Sequence, residues 1–376
     1  MTVEAGVAEI LRSKKYSGLD RVFVERVFAE TAAKYPGKPN HKDVVKAVKR
    51  ELHIIYGAFL KQDCHTRAAA LINSRIGAMN SGLAGAAPSN SAGTTPSSHP
   101  GAATACHHGT APSNSAGTTQ ASHPGAATAC HPGAAPNDCI GDALFTDKKL
   151  AMQLMGLHIS TSERIGCLID IYDWIGGFIG ANDTVADIGC GFNPFALPFL
   201  QNLPRAYNAY DIDGRTVSLL NAYFSLFGES YRARTFDAIT QAPCEPADVA
   251  LLFKLFPLLE RRQKGRAPRL LCELFSLCGP TGPARAPYET QPTRTPDETQ
   301  PTRATDVTVP ARAPCVHTAI VSFPTKSASG RDVGMEPFYT DLFTSGLPDS
   351  LAITGKAVFA NEIFFVVKKS NYAHPG

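Results

Sequence analysis

The residues best placed to do chemistry lie in one short stretch, VADIGCGFNP at 185–194. An apolar run meets Asp187, two glycines follow one residue apart (Gly189 and Gly191), and Asn-Pro closes the segment. Glycine accepts positive φ and lets a ligand approach the backbone closely. Two more acids end later apolar runs: Asp211 in AYDID and Asp237 in RARTFD. A dinucleotide site would want G-x-G-x-x-G/A, with a pyrophosphate docked on a helix N-terminus. Here the third position is Pro194, and the charge of Asp187 would oppose a phosphate. The set suits a cationic ligand instead. S-adenosylmethionine (SAM) has an ammonium, a sulfonium and no phosphate. Its ribose hydroxyls suit Asp211, and its adenine amino group suits Asp237. Its carboxylate wants a cation, and Arg164, inside HISTSER at 158–164, could grip it bidentately. The competing reading is that these acids cap helices, as Asp213 is placed to do.

These residues need elements to hold them. Strand-like runs fall at Thr184–Ile188, Ala206–Tyr210, Tyr231–Phe236, Val249–Phe253 and Thr318–Phe323, and helical segments such as Gly214–Phe227 and Arg269–Leu277 separate most of them. Ser160-Thr-Ser-Glu163 fits a capping box ahead of the stripe Ile165, Leu168, Ile169, Tyr172, Ile175. Two closing strands, Leu351–Phe359 and Ile363–Val367, predict an antiparallel edge. Strands alternating with helices mean a largely parallel sheet. The expected fold class is therefore α/β, a Rossmann-like methyltransferase sheet with an antiparallel C-terminal edge. Ligands of such sheets gather at the strands' carboxyl ends.

Upstream, Asp20 to Tyr35 reads as a helix capped by Asp20 and stopped by Pro36-Gly37. His41 to Leu60 repeats the periodicity with Val44, Val45, Val48, Leu52, Ile55 and Phe59. Lys42, Lys46, Lys49 and Arg50 fall between those positions and form a basic face. From Met1 to Gly82 there are 14 Lys+Arg against 8 Asp+Glu, while the whole chain carries only +3. A helical N-terminal domain with a polyanion partner is the expectation, although solvated amphipathic helices would show the same charge.

Two insertions interrupt this plan. PSNSAGTTPSSHPGAATACHHG at Pro88 recurs as PSNSAGTTQASHPGAATACHPG at Pro112, a period of 24 residues. With only alanines to stack, the units read as disordered rather than as a solenoid. Copying explains the spacing of His99, Cys106, His107, His108, His123, Cys130 and His131, so no metal is expected. ETQPTRTPD followed by ETQPTRATD marks a second insertion. The expected organisation is an N-terminal domain from 1–82, completed by 138–159 around an insertion at 83–137. A SAM domain follows from 160–278, completed by 315–376 around an insertion at 279–314. No apolar run reaches the roughly 18 residues of a membrane span, and the N-terminus lacks the order of a signal peptide. The ten cysteines form no regular framework, and Cys190 and Cys272 lie in apolar surroundings. A cytoplasmic protein without a membrane or DNA partner, and monomeric, is expected.

Four co-linear motifs carry a resemblance: HISTSERI (158–165), DIGCGFNPFALPF (187–199), FKLFPLLERRQKG (253–265) and VSFPTKSASGRDVGMEPFY (321–339). Together they resemble the 16S ribosomal RNA guanine-N7 methyltransferases of Arm/Rmt type that confer aminoglycoside resistance. The family patterns are H-x-S-T-x-E-R, D-x-G-C-G-x-N-P, L-K-x-L-P-x-L-E-x-Q and S-F-P-T-K-S-x-x-G-R-x-x-G-M. The resemblance implies SAM contacts at His158, Ser160, Thr161, Arg164, Asp187, Gly189, Gly191, Asp211, Asp237 and Ala238, with Gln263 nearby. It implies that the basic helical domain docks on the 30S subunit and its 16S rRNA, and that a decoding-site guanine is methylated at N7. Guanine N7 already has a lone pair, so no general base is expected. Lys254, ending the fourth strand, is a candidate for positioning substrate; in the competing reading it is a solvated sheet-edge lysine. Lys326 and Arg331 flank a Ser-rich loop and could hold phosphates. Trp174, Phe192 and Phe195 read as core rather than as stacking platforms. The alternatives are a catalytically impaired RNA-binding relic, a small-molecule methyltransferase and, more distantly, an NAD oxidoreductase.

Overall fold

A computed structural model describes residues 2–35, 40–85, 147–225, 229–241, 245–276, 316–326 and 335–370. Residues 86–137 and 279–314 of the two expected insertions, the His/Cys set of the first, the Pro36-Gly37 stop and Arg331 lie outside the described residues, while 83–85 lie in a helix. The sheet has seven strands: β1 (Thr184–Ile188), β2 (Ala206–Asp211), β3 (Tyr231–Thr235), β4 (Val249–Phe253), β5 (Thr318–Pro324), β6 (Leu351–Phe359) and β7 (Glu362–Lys369). Their order is β3-β2-β1-β4-β5-β7-β6. The first five run parallel, and β7 pairs antiparallel with both β5 and β6. The expected α/β class, parallel sheet and antiparallel edge are all present. The chain winds from β1 outward through β2 and β3, then returns to β4 on the other flank of β1. That reversal opens a crevice at the carboxyl ends of β1 and β4. All residues of β1 and β4 are buried, as central strands covered on both faces should be.

Helices α1 (Val3–Leu11), α2 (Arg21–Ala32) and α3 (His41–Leu52) pack through Val7, Ile10, Val24, Val27, Phe28, Val48 and Leu52 into a core of their own. Asp20 caps α2 as read, accepting from the Phe23 amide, and Asn40 caps α3. The expected helix to Leu60 breaks at Leu52 and passes into one π-type turn, His53–Gly57. Helices α4 (Cys64–Gly85) and α5 (Lys148–Met155) place Ala68, Ile72, Leu150 and Leu154 in the sheet's core, beside Phe192 and Phe195. Among the described residues the apolar grouping changes near residue 60, with Leu60 packed against both clusters.

The expected capping box is overturned. Its segment divides into α6 (Ile159–Ser162, a single turn), a 3-10 turn at Ile165–Cys167, and α7 (Leu168–Gly176). His158, not Ser160, occupies the cap position and makes no side-chain cap bond. Glu163 reaches Lys254 instead of a backbone amide. The backbone leaves the helical region at Cys167, with φ −134° and ψ 26°, and Arg164 turns its side chain inward to a buried acid, as described below. The remaining helices are α8 (Gly214–Phe224), α9 (Phe256–Arg262), α10 (Arg266–Ser276) and α11 (Met335–Gly346). Asp213 caps α8 as expected, accepting from the Arg215 amide. Phe192 and Phe195 are fully buried, and Trp174 packs on Phe178, Phe359 and Phe364, so all three serve the core. Cys190 is buried and Cys272 half-buried, both as free thiols. Among the described residues no helix is long and apolar enough to cross a membrane.

Candidate functional site

At the crossover the chain leaves β1 into a tight turn. Gly189 has φ +68° and Gly191 φ +51°, conformations that L side chains rarely adopt. The amides of Gly189 and Cys190 donate to the Tyr210 carbonyl at 2.8 and 3.0 Å, and the Gly191 amide donates to Asp211 Oδ2 at 2.8 Å. A Cβ on Gly191 would stand 3.1 Å from the His158 ring, and one on Gly189 would stand 3.1 Å from Leu255. The segment that follows, Asn193–Phe199, is a buried 3-10 turn holding Pro194 and Pro198. No α-helix starts at the turn, so the stacked amides that a pyrophosphate would require are not provided.

A cleft opens beside this turn, with about 950 Å³ of empty space including its open mouth. Of the expected residues it brings together His158, Ser160, Gly189, Gly191, Asp211, Asp237, Ala238 and Lys254. Asp211 accepts from the amides of Gly191 and Asp213, one on each oxygen, at 2.8 and 2.9 Å. Burial pushes its carboxyl up to about 6. Its two oxygens together offer about four lone-pair sites, so acceptor capacity remains. Asp237 accepts from the Ile239 amide at 3.0 Å. His158 stacks between Phe59 and Phe192, with centroids at 6.3 and 5.4 Å. Its Nδ1 is enclosed and has no hydrogen-bond partner among the described residues. Burial pushes its pKa down to about 3, with the charges of His65 and Arg164 acting in the same direction, so the ring is neutral.

Four expected cofactor contacts do not line the cleft. Thr161 is buried, and its hydroxyl donates to the Met155 carbonyl at 2.6 Å. Asp187, read as facing a cation, is fully buried within β1, where it accepts from Asn193 Nδ2 at 2.9 Å and the Tyr207 hydroxyl at 2.7 Å. Burial raises its carboxyl to about 6. Arg164, read as a carboxylate grip, already holds one: its Nε and Nη2 donate to Glu362 at 2.8 and 2.7 Å, and Nη1 donates to Asn193 at 3.0 Å. Its guanidinium lies 4.9 Å from the Phe253 ring centroid. Gln263 is exposed, while its neighbour Arg262 lines the cleft. Counted from Phe253, the ten-residue pattern L-K-x-L-P-x-L-E-x-Q ends on Arg262, so the expected residue was displaced by one.

Lys254 is buried rather than solvated, and its Nζ reaches Glu163 at 2.6 Å and Glu362 at 3.3 Å. It adopts φ +55°, held by amide contacts to the carbonyl and hydroxyl of Ser322 at 3.0 and 3.1 Å. Sequence reading missed Glu362, which anchors Arg164 and Lys254 and also accepts from the Ser322 hydroxyl. One signal was available: a lone acid opening the apolar run EIFFVV. It also missed that one wall of the cleft comes from the N-terminal helices and the residues after them, through Phe23, Ile55, Tyr56, Phe59 and Leu60. The two parts meet again at Asp213, which accepts from Tyr56 and pairs with His65 at 3.2 Å and Arg215 at 3.2 Å.

On the basic face, Lys42, Lys46 and Arg50 are exposed, whereas Lys49 is half-buried and reaches Glu9 at 3.5 Å. Lys326 is exposed at the end of β5. Away from the cleft, Asp183, Asp248 and His317 bring ligand-type atoms within 4.8 Å of one another at the amino ends of β1, β4 and β5. Asp248 there accepts from the Thr184 amide at 2.8 Å.

Comparison with known proteins places the chain in a family. Residues 134–277 match the family described as ribosomal RNA methyltransferase (FmrO). A 16S rRNA (guanine(1405)-N(7))-methyltransferase of Serratia marcescens is 30% identical over 219 residues, covering 57% of this chain and 69% of that protein. One of the same name from Proteus mirabilis is 27% identical over 228 residues, covering 59% and 66%. The chain thus spans about two thirds of the length of these relatives. The crystal structure of the 16S rRNA methyltransferase RmtF in complex with S-adenosyl-L-homocysteine superposes with a TM-score of 0.63 at 24% identity, covering 98% of both chains. The 16S rRNA methylase RmtB gives 0.59 at 22% identity, covering 98% of this chain and 99% of that one. By sequence and fold together, the chain belongs to the 16S rRNA (guanine-N7)-methyltransferase family.

Proposed function

We propose that this protein transfers a methyl group from SAM to N7 of a decoding-site guanine in the 16S rRNA of the 30S subunit. One observation carries the reading: the left-handed turn at Gly189 and Gly191 shares a single cleft with the carboxylates of Asp211 and Asp237. The cleft's chemistry fits SAM. Two acids, with no α-helix starting at the glycine turn, disfavour phosphate there. Asp211 would hold the ribose hydroxyls and Asp237 the adenine amino group, while the glycine turn admits the ligand against the backbone. SAM, when bound, supplies an electrophilic methyl on a sulfonium.

Guanine N7 attacks with an in-plane lone pair and releases no proton beforehand, so the chain needs no general base. Its residues act by orientation, which supplies up to roughly 7–11 kcal/mol in well-aligned systems. In this reading the network of Arg164, Glu362 and Lys254 keeps the ends of β4 and β5 rigid beneath the incoming base, and Lys254 positions substrate through that network. Extracting a base from structured RNA costs a few kcal/mol, offset by phosphate contacts from Lys42, Lys46, Arg50, Lys326 and Arg331. A fixed positive charge on the modified guanine would repel cationic 4,6-disubstituted deoxystreptamine drugs and give resistance. The protein would act as a cytoplasmic monomer on the small subunit rather than on DNA.

The test is transfer of labelled methyl from SAM to unmethylated 30S subunits, with naked 16S rRNA and small-molecule acceptors in parallel. One N7-methylated guanine in the decoding region is expected, and only with 30S subunits. Labelling of small molecules alone would replace this reading with a small-molecule methyltransferase. S-adenosylhomocysteine binding without transfer to any acceptor would replace it with a non-catalytic RNA-binding protein.

A further inference from the structure

The wall around Asp237 is not built by the sheet domain alone. Arg26, on α2, donates from Nη2 to Asp237 Oδ2 at 2.7 Å and from Nη1 to Glu30 at 3.0 Å. Its guanidinium lies 5.4 Å from the ring centroid of Phe23, which itself lines the cleft. Arg262 lines the same wall with its side chain only 5% exposed, paired with Glu30 and lying 3.8 Å from Glu51. An alternating row of charges, Asp237, Arg26, Glu30, Arg262 and Glu51, thus joins the RNA-facing helices to the adenine end of the cleft. The other oxygen of Asp237 accepts from the Ile239 amide.

We propose that Arg26 is a positioning residue, supplied by the N-terminal helices, that makes Asp237 selective for the 6-amino group of adenine. The inference rests on the reading of the cleft as a SAM site. With one oxygen fixed by Ile239 and the other by Arg26, the carboxylate has a single orientation and still has lone pairs to offer. A 6-amino group satisfies them. A 6-oxo purine sets an acceptor against an acceptor, and a site built around a hydrogen bond rejects the analogue that cannot make it. Without Arg26 the carboxylate is free to rotate toward water, and the preference weakens.

Calorimetric titration of the full-length chain with S-adenosylhomocysteine and with S-inosylhomocysteine tests this. Arg26→Met keeps an unbranched stem over Phe23 and removes the charge. Arg26→Lys keeps a charge without the fork. The wild type is expected to prefer the adenine ligand by about a hundredfold or more. Arg26→Met should bind S-adenosylhomocysteine about tenfold more weakly and S-inosylhomocysteine within about twofold of wild type, with Arg26→Lys between. Adding Arg26→Met to Asp237→Ala should cost nothing further. Equal losses for both ligands, additive losses in the double variant, or no change in Arg26→Met would overturn the proposal. A wild-type chain that binds neither ligand would overturn the SAM reading itself.

Discussion

The two sides of the glycine turn treat charge in opposite ways. Toward β2 and β3, Asp211 and Asp237 stand on the wall of a cleft, tied by backbone amides yet with acceptor capacity left over. Toward the C-terminal hairpin, Arg164, Glu362 and Lys254 are enclosed and bonded to one another, and Asn193 links them to Asp187. In the proposed reading one side takes the ligand. The other braces the turn that presents it. Acids spaced alike along the chain, Asp187 and Asp211, therefore do different work according to which side of the sheet crossover they face.

The bracing side should show the largest effect on stability. Glu362→Gln leaves two buried cations without their shared acid and is expected to cost about 3–5 kcal/mol in denaturant unfolding. A loss below about 1 kcal/mol would remove the distinction between the two sides.

His65 extends the comparison to the junction between the two parts. Burial alone would lower its pKa, but hydrogen bonds to Asp213 and Cys64 raise it to about 9. A histidine raised in the fold contributes its full stability below the unfolded value near 6.5 and loses it as pH rises through about 9. The contribution is on the order of 3 kcal/mol. Unfolding free energies of wild type should therefore fall between pH 6.5 and 9, and His65→Gln should flatten that limb. His158 runs the other way. Its pKa, held down near 3, makes stability complete above about 6.5 and lost as pH falls toward 3.

A smaller effect belongs to the turn. Gly191→Ala forces positive φ on an L side chain and crowds the His158 ring, at a cost of about 1–2 kcal/mol. S-adenosylhomocysteine affinity should fall with it, as calorimetry would show. Reversing the charges of Lys42 and Lys46 should leave stability and S-adenosylhomocysteine affinity unchanged while weakening 30S binding. The salt slope of log Kobs should become shallower by roughly 1.5 to 2. An unchanged slope would mean that this face does not meet RNA.

The binding side was legible in the sequence because its signals are local. Two glycines one residue apart fix a backbone shape, and Asp211 and Asp237 end runs whose β pattern is plain. Strand bounds at Thr184, Val249 and Leu351 matched for the same reason. The bracing side was not legible, because its partners are far apart in the chain. Arg164 and Glu362 lie 198 residues apart, and nothing near Arg164 says that an acid from the last hairpin will meet it. The capping box failed because Glu163 is drawn to Lys254, 91 residues away, rather than to a local backbone amide. Arg262 was legible in the motif as well, since the pattern counted from Phe253 ends on it; the helix closes there, and Gln263 beyond it is extended and exposed.

Binding of S-adenosylhomocysteine to wild type and to Asp211→Ala, each with its thermal unfolding recorded, is the most direct measurement. A chain that still folds, destabilised by about 1–3 kcal/mol because the Gly191 and Asp213 amides lose their acceptor, together with an affinity loss of about a hundredfold or more, is expected, since the acceptor of the ligand's hydrogen bonds is removed. An Asp211→Ala chain that folds and binds S-adenosylhomocysteine as tightly as wild type would contradict the assignment of this cleft.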